Sequence, residues 1–494
     1  MSPGAHPGAR HGTPAVDATE GSAVGDVAEG SAVAEAAEGS VVPVVGDELR
    51  LEIGPVAHGG HCVARHQGRV VFVRHALPGE TVTARLTAAS PEDRFWRADA
   101  VEVLVTSADR VSPPCPLAVP GGCGGCDWQH ASLPAQRRLK ADVVREQVRR
   151  LAGTDLADLV VEPVPGDAGG LGWRTRLRFT VDAEGRPGLR AHRSHRVVPV
   201  EDCLLAHPRV AELGVGRRLW PGVASVEVVA PPAGTDRLVV VEPVTAGHLD
   251  VPPLGAETAL ARTAPAGPAS AAGRSRGEAR STRARRGAGG IERLRGRTWV
   301  EESVAVGPMT RRFRITGTGF WQVHPGAART LLDAVLDAAQ PGPGERALDL
   351  YSGVGLFAAG LAERVGPGGT VLAVESGARA VADARRALHD LPTVRLEQGR
   401  VEEVLPRLTG RGRAVETVDV AVLDPPRSGA GPRVVEQVLA LAPRVVVYVA
   451  CDPAALARDI AVAAGRGYSL AGLRAFDLFP MTHHVECVAT LRPS

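Results

Sequence analysis

The stretch VVVYVACDP, Val445 to Pro453, decides how the C-terminal half of the chain folds. A short run of β-branched and apolar residues closed by turn residues reads as a buried parallel strand. Asp452-Pro453 then opens a helical stretch, AALARDI. In doubly wound sheets, ligands bind just beyond the carboxyl ends of the strands. Cys451 therefore has the address of an active-site residue, and the N-terminus of the following helix favours its thiolate. The competing reading is a small buried hydrophobe, the usual fate of a free cysteine. The neighbouring strands decide between the two.

Upstream, from Glu345, strand and helix patterns alternate. RALDLYSGVGLFAAGLAERV reads as a strand, a glycine turn and a helix. Gly353, Gly355 and Ala358 fit G-x-G-x-x-G/A, whose small residues allow a tight turn and close approach of a nucleoside. A second strand, TVLAVES, ends at Glu375, where a carboxylate accepts hydrogen bonds from ribose hydroxyls. The combination suits NAD or S-adenosylmethionine. The strand in VDVAVLDPPRSG delivers Asp424 to the same edge, and two prolines stiffen the loop behind it. Such loops are familiar in class I methyltransferases. Amino-methylating members carry an aromatic residue after the prolines. Arg427 stands there instead, which argues against an exocyclic amine as target. Downstream, LFPMTHHVECVATL brings Glu486 onto a last strand with Cys487 on its opposite, core-facing side. His483 and His484 read as loop residues that shape a pocket.

The N-terminal half is built differently. Residues 1–44 are a near-repeat of Ala, Gly, Ser, Val and Glu, the composition of a disordered tail. Residues 45–106 read as short strands with Gly/Pro turns and resemble a TRAM domain, an OB-like RNA-binding barrel. Cys62 falls in one of its strands and reads as structural. Residues 107–320 form a central α+β domain, and 321–494 the methyltransferase domain. An Ala/Gly/Pro/Arg-rich stretch, 252–290, reads as a flexible insertion, with order resuming near Trp299. Ala135 to Ala152 is helical, with Leu139, Val143, Val144 and Val148 on one stripe. Its other face carries Arg137, Arg138, Lys140, Arg145, Arg149 and Arg150. GWRTRLRFTVD alternates Arg174, Arg176 and Arg178 against Trp173, Thr175, Leu177 and Phe179, a half-buried strand with an arginine face for RNA phosphates.

In PPCPLAVPGGCGGCDWQH, Cys123 and Cys126 form a C-x-x-C pair with Cys115 upstream, and Cys203 follows later. Three clustered thiols and one distant thiol suit a tetrahedral zinc or a four-iron cluster, and spacing does not choose between them.

The 494 residues carry a formal net charge of +2, and 44% are hydrophobic, enough for two to four domains with their own cores. Lys140 is the only lysine. The arginine excess accompanies a general Ala/Gly/Arg bias and carries little weight. No run of about twenty apolar residues exists, so no membrane span is expected. The N-terminal residues lack the apolar core of a signal peptide, which points to the cytoplasm. No obligate protein partner is implied.

The order GFWQVHP, DLYSGVGLF, AVES, DPPRSG, YVACDPAALARD and HHVECVATL is similar to the RNA uracil-5-methyltransferase family. The barrel and cysteine set resemble its TRAM-containing, iron–sulfur branch. The resemblance covers about Gly46 to the end, outside the insertion. It implies a Rossmann-like class I methyltransferase domain with an N-terminal OB-like barrel, using S-adenosylmethionine to methylate carbon 5 of uridine in RNA. It implies ribosomal RNA, with transfer RNA as the alternative. Cys451 is then the nucleophile and Glu486 the base. Gln322, Tyr351, Gly353, Gly355, Glu375 and Asp424 serve the donor, and Cys115, Cys123, Cys126 and Cys203 hold a [4Fe-4S] cluster, with zinc as the alternative.

The chemistry agrees. Carbon 5 of uracil attacks a methyl sulfonium only after a thiolate adds to carbon 6, and a base must then remove the carbon 5 proton. The base must leave its stack to be reached. Departures from the family pattern are Asp452 for Asn, His324 where Asn is common, Leu356 where Asn often serves the donor, and Ser352 for Cys. Seven residues, against an expected five, separate Cys115 from Cys123. The competing functions are a non-catalytic RNA-binding scaffold and methylation at another nucleobase position.

Overall fold

The structure is a computed structural model, and residues 43–264, 290–408 and 417–494 are described. The tail expected over residues 1–44 lies outside the described residues except for its last two. Most of the insertion expected over 252–290 lies outside them as well.

Five strands, β1 (Glu48–Glu52), β2 (Cys62–His66), β3 (Arg69–Arg74), β4 (Thr81–Ala88) and β5 (Phe95–Val105), form one sheet in the order β1-β4-β5-β3-β2. Its alternating pattern turns Leu51, Val71, Val73, Val82, Leu86 and Trp96 into a shared core. Cys62 belongs to that core, at 1% exposure. The helix Leu133–Ala152 follows, capped by Ser132 and closed by Gly153 in the left-handed region.

The central sheet combines β7 (Arg176–Val181), β8 (Pro187–Arg190), β9 (Val197–Pro199), β10 (Val223–Val229), β11 (Leu238–Pro243), β12 (Ala259–Arg262) and β13 (Glu292–Arg295). Its order is β13-β12-β11-β10-β7-β8-β9. Two of these strands correct the sequence reading. β12 lies inside the stretch assigned to an insertion, where it pairs in parallel with β11. β13 precedes Trp299 and pairs with β12. Composition hid them because a four-residue strand is too short to show a periodicity of its own. A hairpin of β14 (Trp299–Val306) and β15 (Met309–Thr316) then leads to the helix Ala327–Ala339.

The C-terminal sheet has eight strands. β16 (Arg346–Leu350), β17 (Thr370–Glu375), β18 (Val394–Gln398), β19 (Val420–Leu423) and β20 (Val445–Ala450) run parallel. β22 (Glu486–Pro493) and β21 (Tyr468–Asp477) are antiparallel additions. The order is β18-β17-β16-β19-β20-β22-β21-β6. The last, β6 (Val161–Pro163), comes from the region assigned to the central domain and pairs with β21. All six residues of β20 are buried, as a strand covered on both faces requires. Chain order reverses between β16 and β19, and that switch point opens the ligand crevice.

The arginine face expected for RNA, and one residue of the basic helix face, differ in the structure. Arg176 on β7 is met by Glu227 of β10 and Arg178 by Glu242 of β11, so these two arginines are paired within their own sheet. Lys140 leaves the exposed face of its helix and is fully buried against Asp477, 2.5 Å away. No helix among the described residues is long and apolar enough to cross a membrane.

Candidate active site

β20 and β22 set the site. Their register pairs Ala450 with Cys487. One step further along the same ladder puts Cys451 beside Glu486. Cys487 points away into the core at 0% exposure, whereas Cys451 is half-buried. Asp452 caps the next helix by accepting the Ala455 N–H at 2.8 Å. Its other oxygen meets His58 of the barrel at 3.2 Å.

Two features of the site oppose the thiolate that the helix N-terminus favours. Burial and the neighbouring Glu486 carboxylate push the Cys451 thiol up to about 12. Burial and Asp424 likewise hold Glu486 well above the usual carboxylate range. Arg427 opposes both shifts, so its guanidinium is the cation that favours ionisation of the pair. The sequence singled Arg427 out only as the absence of an aromatic residue. Its place beside Cys451 and Glu486 arises from the turn after the two prolines. Asp459 shapes that turn, accepting the Ala430 and Gly431 N–H groups and the Tyr448 hydroxyl.

Three carboxylates stand at the neighbouring strands β17, β16 and β19. Glu375 accepts the Gly353 N–H at 3.1 Å. Asp349 accepts the Ala358 N–H at 2.7 Å. Burial and the adjacent charges raise Asp349 to about 8, and burial and Glu375 raise Asp424 to about 7. Carboxylates crowded in this way suit a cationic ligand. The turn between them uses Tyr351 at φ 64, a sparsely populated conformation for a residue with a side chain. Gly355 has φ 90, and a Cβ there would stand 2.5 Å from Leu388. Gln322 lies in the turn between β15 and the helix Ala327–Ala339, next to Phe320, a 60% exposed aromatic ring the sequence reading passed over.

Cys115, Cys123, Cys126 and Cys203 line one cavity with Gln129 and Arg174. Gln129 Nε2 donates to Cys126 Sγ at 3.0 Å and the Gly125 N–H to Cys123 Sγ at 3.4 Å. Burial pushes the Cys126 thiol up to about 12. Among the described residues, no three side chains of ligating type are grouped to hold a metal ion.

Comparison with known proteins places these features. The family described as tRNA (Uracil-5-)-methyltransferase matches residues 292–493, and the TRAM domain matches residues 44–106. An uncharacterised RNA methyltransferase of Streptomyces avermitilis is 50% identical over 459 residues, covering 91% of this chain and 99% of that protein. One from Bifidobacterium longum is 38% identical, covering 90% and 95%. Among solved structures, the Pyrococcus abyssi tRNA (uracil-54, C5)-methyltransferase bound to S-adenosyl-L-homocysteine has the same fold. Its TM-score is 0.63 at 23% identity, covering 89% of this chain and 99% of that one. The chain is a class I RNA methyltransferase and belongs to the TRAM-containing RNA uracil-5-methyltransferase family.

Proposed function

We propose that the protein methylates carbon 5 of uridine in ribosomal RNA, with Cys451 as nucleophile and Glu486 as base. The observation that carries this reading is the β20–β22 register, which brings a thiol and a carboxylate side by side at the carboxyl edge next to Asp424. S-adenosylmethionine supplies an electrophilic methyl group. Glu375, Asp349 and Asp424 offer negative charge to its cationic centre, and Gln322, Tyr351, Gly353 and Gly355 complete the donor turn.

The atoms balance as follows. The Cys451 thiol loses its proton to solvent, with Arg427 stabilising the charge. The sulfur bonds to carbon 6 of uracil, and the carbon 5–carbon 6 π electrons move onto the ring as an enolate. Carbon 5 takes the methyl group, and the donor sulfur keeps its bonding pair. Glu486 removes the carbon 5 proton, the double bond re-forms, and the Cys451 thiolate leaves.

The barrel supports RNA as substrate. Phe72 and Phe95 lie edge to face, 5.2 Å apart, and Arg97 stacks 4.7 Å above Phe95. Aromatic rings with arginine on one barrel face suit stacking of unpaired bases. The four cysteines line one cavity and offer the thiol donors that an iron–sulfur cluster uses, two of them accepting N–H donors. When bound, such a cluster would tie the segment 115–130 to Cys203.

Incubation with labelled donor and unmodified RNA is expected to yield 5-methyluridine, lost in Cys451→Ala. Turnover that survives Cys451→Ala overturns the covalent route. Mapping of 5-methyluridine in ribosomal and transfer RNA, from cells with and without the protein, decides the RNA class. An anaerobic preparation is expected to be brown, and a colourless protein with stoichiometric zinc would contradict the cluster.

A further inference from the structure

The turn that delivers Glu486, residues 478–485, is held by chain from the cysteine-bearing segment and the helix after it. Met481 sits at φ 67, a conformation that persists only where neighbours enforce it. Its N–H donates to Gln136 Oε1 at 2.7 Å. Its carbonyl accepts from the Asp127 and Trp128 N–H groups at 3.0 and 3.1 Å. The Phe479 carbonyl accepts from Lys140 Nζ at 3.0 Å.

Asp127, the residue after Cys126, adds a side-chain contact. Its Oδ2 accepts the His483 N–H at 3.1 Å and lies 2.6 Å from His483 Nδ1. The His483 and His484 ring centroids are 4.1 Å apart. His484 Nε2 stands 3.4 Å from the Arg427 guanidinium. The His483 ring has little freedom, because Gly60 of the barrel approaches so closely that a Cβ there would stand 2.6 Å from His483 Cβ. One carboxylate beside the cysteine cavity thus reaches, through two imidazoles in tilted contact, the guanidinium that faces Cys451 and Glu486.

We propose that Asp127 is a positioning residue for methyl transfer: it seats His483 and His484, and through them fixes Arg427 beside the reacting pair. Catalysis then depends on the seating of the cysteine-bearing segment. This rests on Cys451 and Glu486 being the reacting pair.

The test compares full-length Asp127→Ala, Asp127→Asn, His483→Ala and the Asp127→Ala/His483→Ala double variant. Misplacement of a catalytic group by about an ångström costs roughly 10- to 100-fold in rate. The expected result for Asp127→Ala is a loss of that size in kcat, with KM for RNA preserved. Asp127→Asn, which keeps an acceptor oxygen, recovers most of the loss. The double variant is expected to lose no more than the worse single variant, because Asp127→Ala already removes the ring contact that His483→Ala removes. Hydrogen exchange is expected to quicken over residues 481–486 and to stay unchanged in the helix Pro453–Ala464. Wild-type kcat in Asp127→Ala, additive losses, or exchange that quickens across the whole chain overturns the proposal. Should Asp127→Ala fail to fold, Asp127→Asn and His483→Ala report on the same contact. A wild-type protein without methyl transfer refutes the functional reading instead, and the exchange measurement still judges the contact.

Discussion

Lys140 and Asp477 form a sealed ion pair, 2.5 Å apart, at 0% and 2% side-chain exposure. They join the helix Leu133–Ala152 to the end of β21, just before the turn that carries Glu486. A buried charge without its partner costs about 3–5 kcal/mol. Lys140→Ala is therefore expected to lower unfolding stability by about that amount in a denaturant titration. Lys140→Met combined with Asp477→Leu should recover most of it. An unchanged midpoint for Lys140→Ala would show that the pair is not fastened as the structure has it.

The carboxylates near the donor turn predict a pH dependence with a definite sign. Asp349 and Asp424 are raised to about 8 and about 7, above their unfolded values. The folded protein without donor therefore holds more protons than the unfolded chain, and its stability falls as pH rises from the ordinary carboxylate range to about 8. A cationic donor favours the ionised forms. Donor affinity is expected to increase through this window, with protons released on binding. Calorimetry in buffers of different ionisation enthalpy measures that release. Affinity independent of pH, or tighter binding in acid, would contradict it.

Arg427 gives a second pH signature. Its charge lowers the barrier to ionising both Cys451 and Glu486. Arg427→Gln is expected to move the rising limb of the pH–rate profile to higher pH and to reduce kcat/KM at neutral pH by roughly tenfold, the effect of one pKa unit. Arg427→Lys should retain part of the activity. An unshifted limb in Arg427→Gln would remove the guanidinium from this role.

Much of this was legible in the chain. Continuous apolar runs ending in Asp424 and Cys451 announced a parallel sheet, and the glycines after Leu350 announced the tight turn into the helix Leu356–Val365. The clustered cysteines do meet at one cavity. What escaped was set by tertiary contacts. Lys140 reads as a solvated cation by residue type, yet it lies one turn from Gln136 and Val144, both buried on the same stripe. The arginines of β7 read as an RNA face because their partners, Glu227 and Glu242, lie on strands far away in sequence. Helix position alone favoured a Cys451 thiolate, and burial together with the Glu486 carboxylate opposes it. The links from His58 to Asp452 and from Asp127 to His483 join segments hundreds of residues apart, where no local pattern points.

Methyl transfer with Glu486→Gln is the most direct trial. Without a carboxylate to take the proton, the methylated ring stays attached to sulfur. Mass spectrometry of digested protein after reaction with donor and RNA should find a nucleotide on the peptide containing Cys451. Full turnover by Glu486→Gln, or a nucleotide carried on any other residue, would contradict the account.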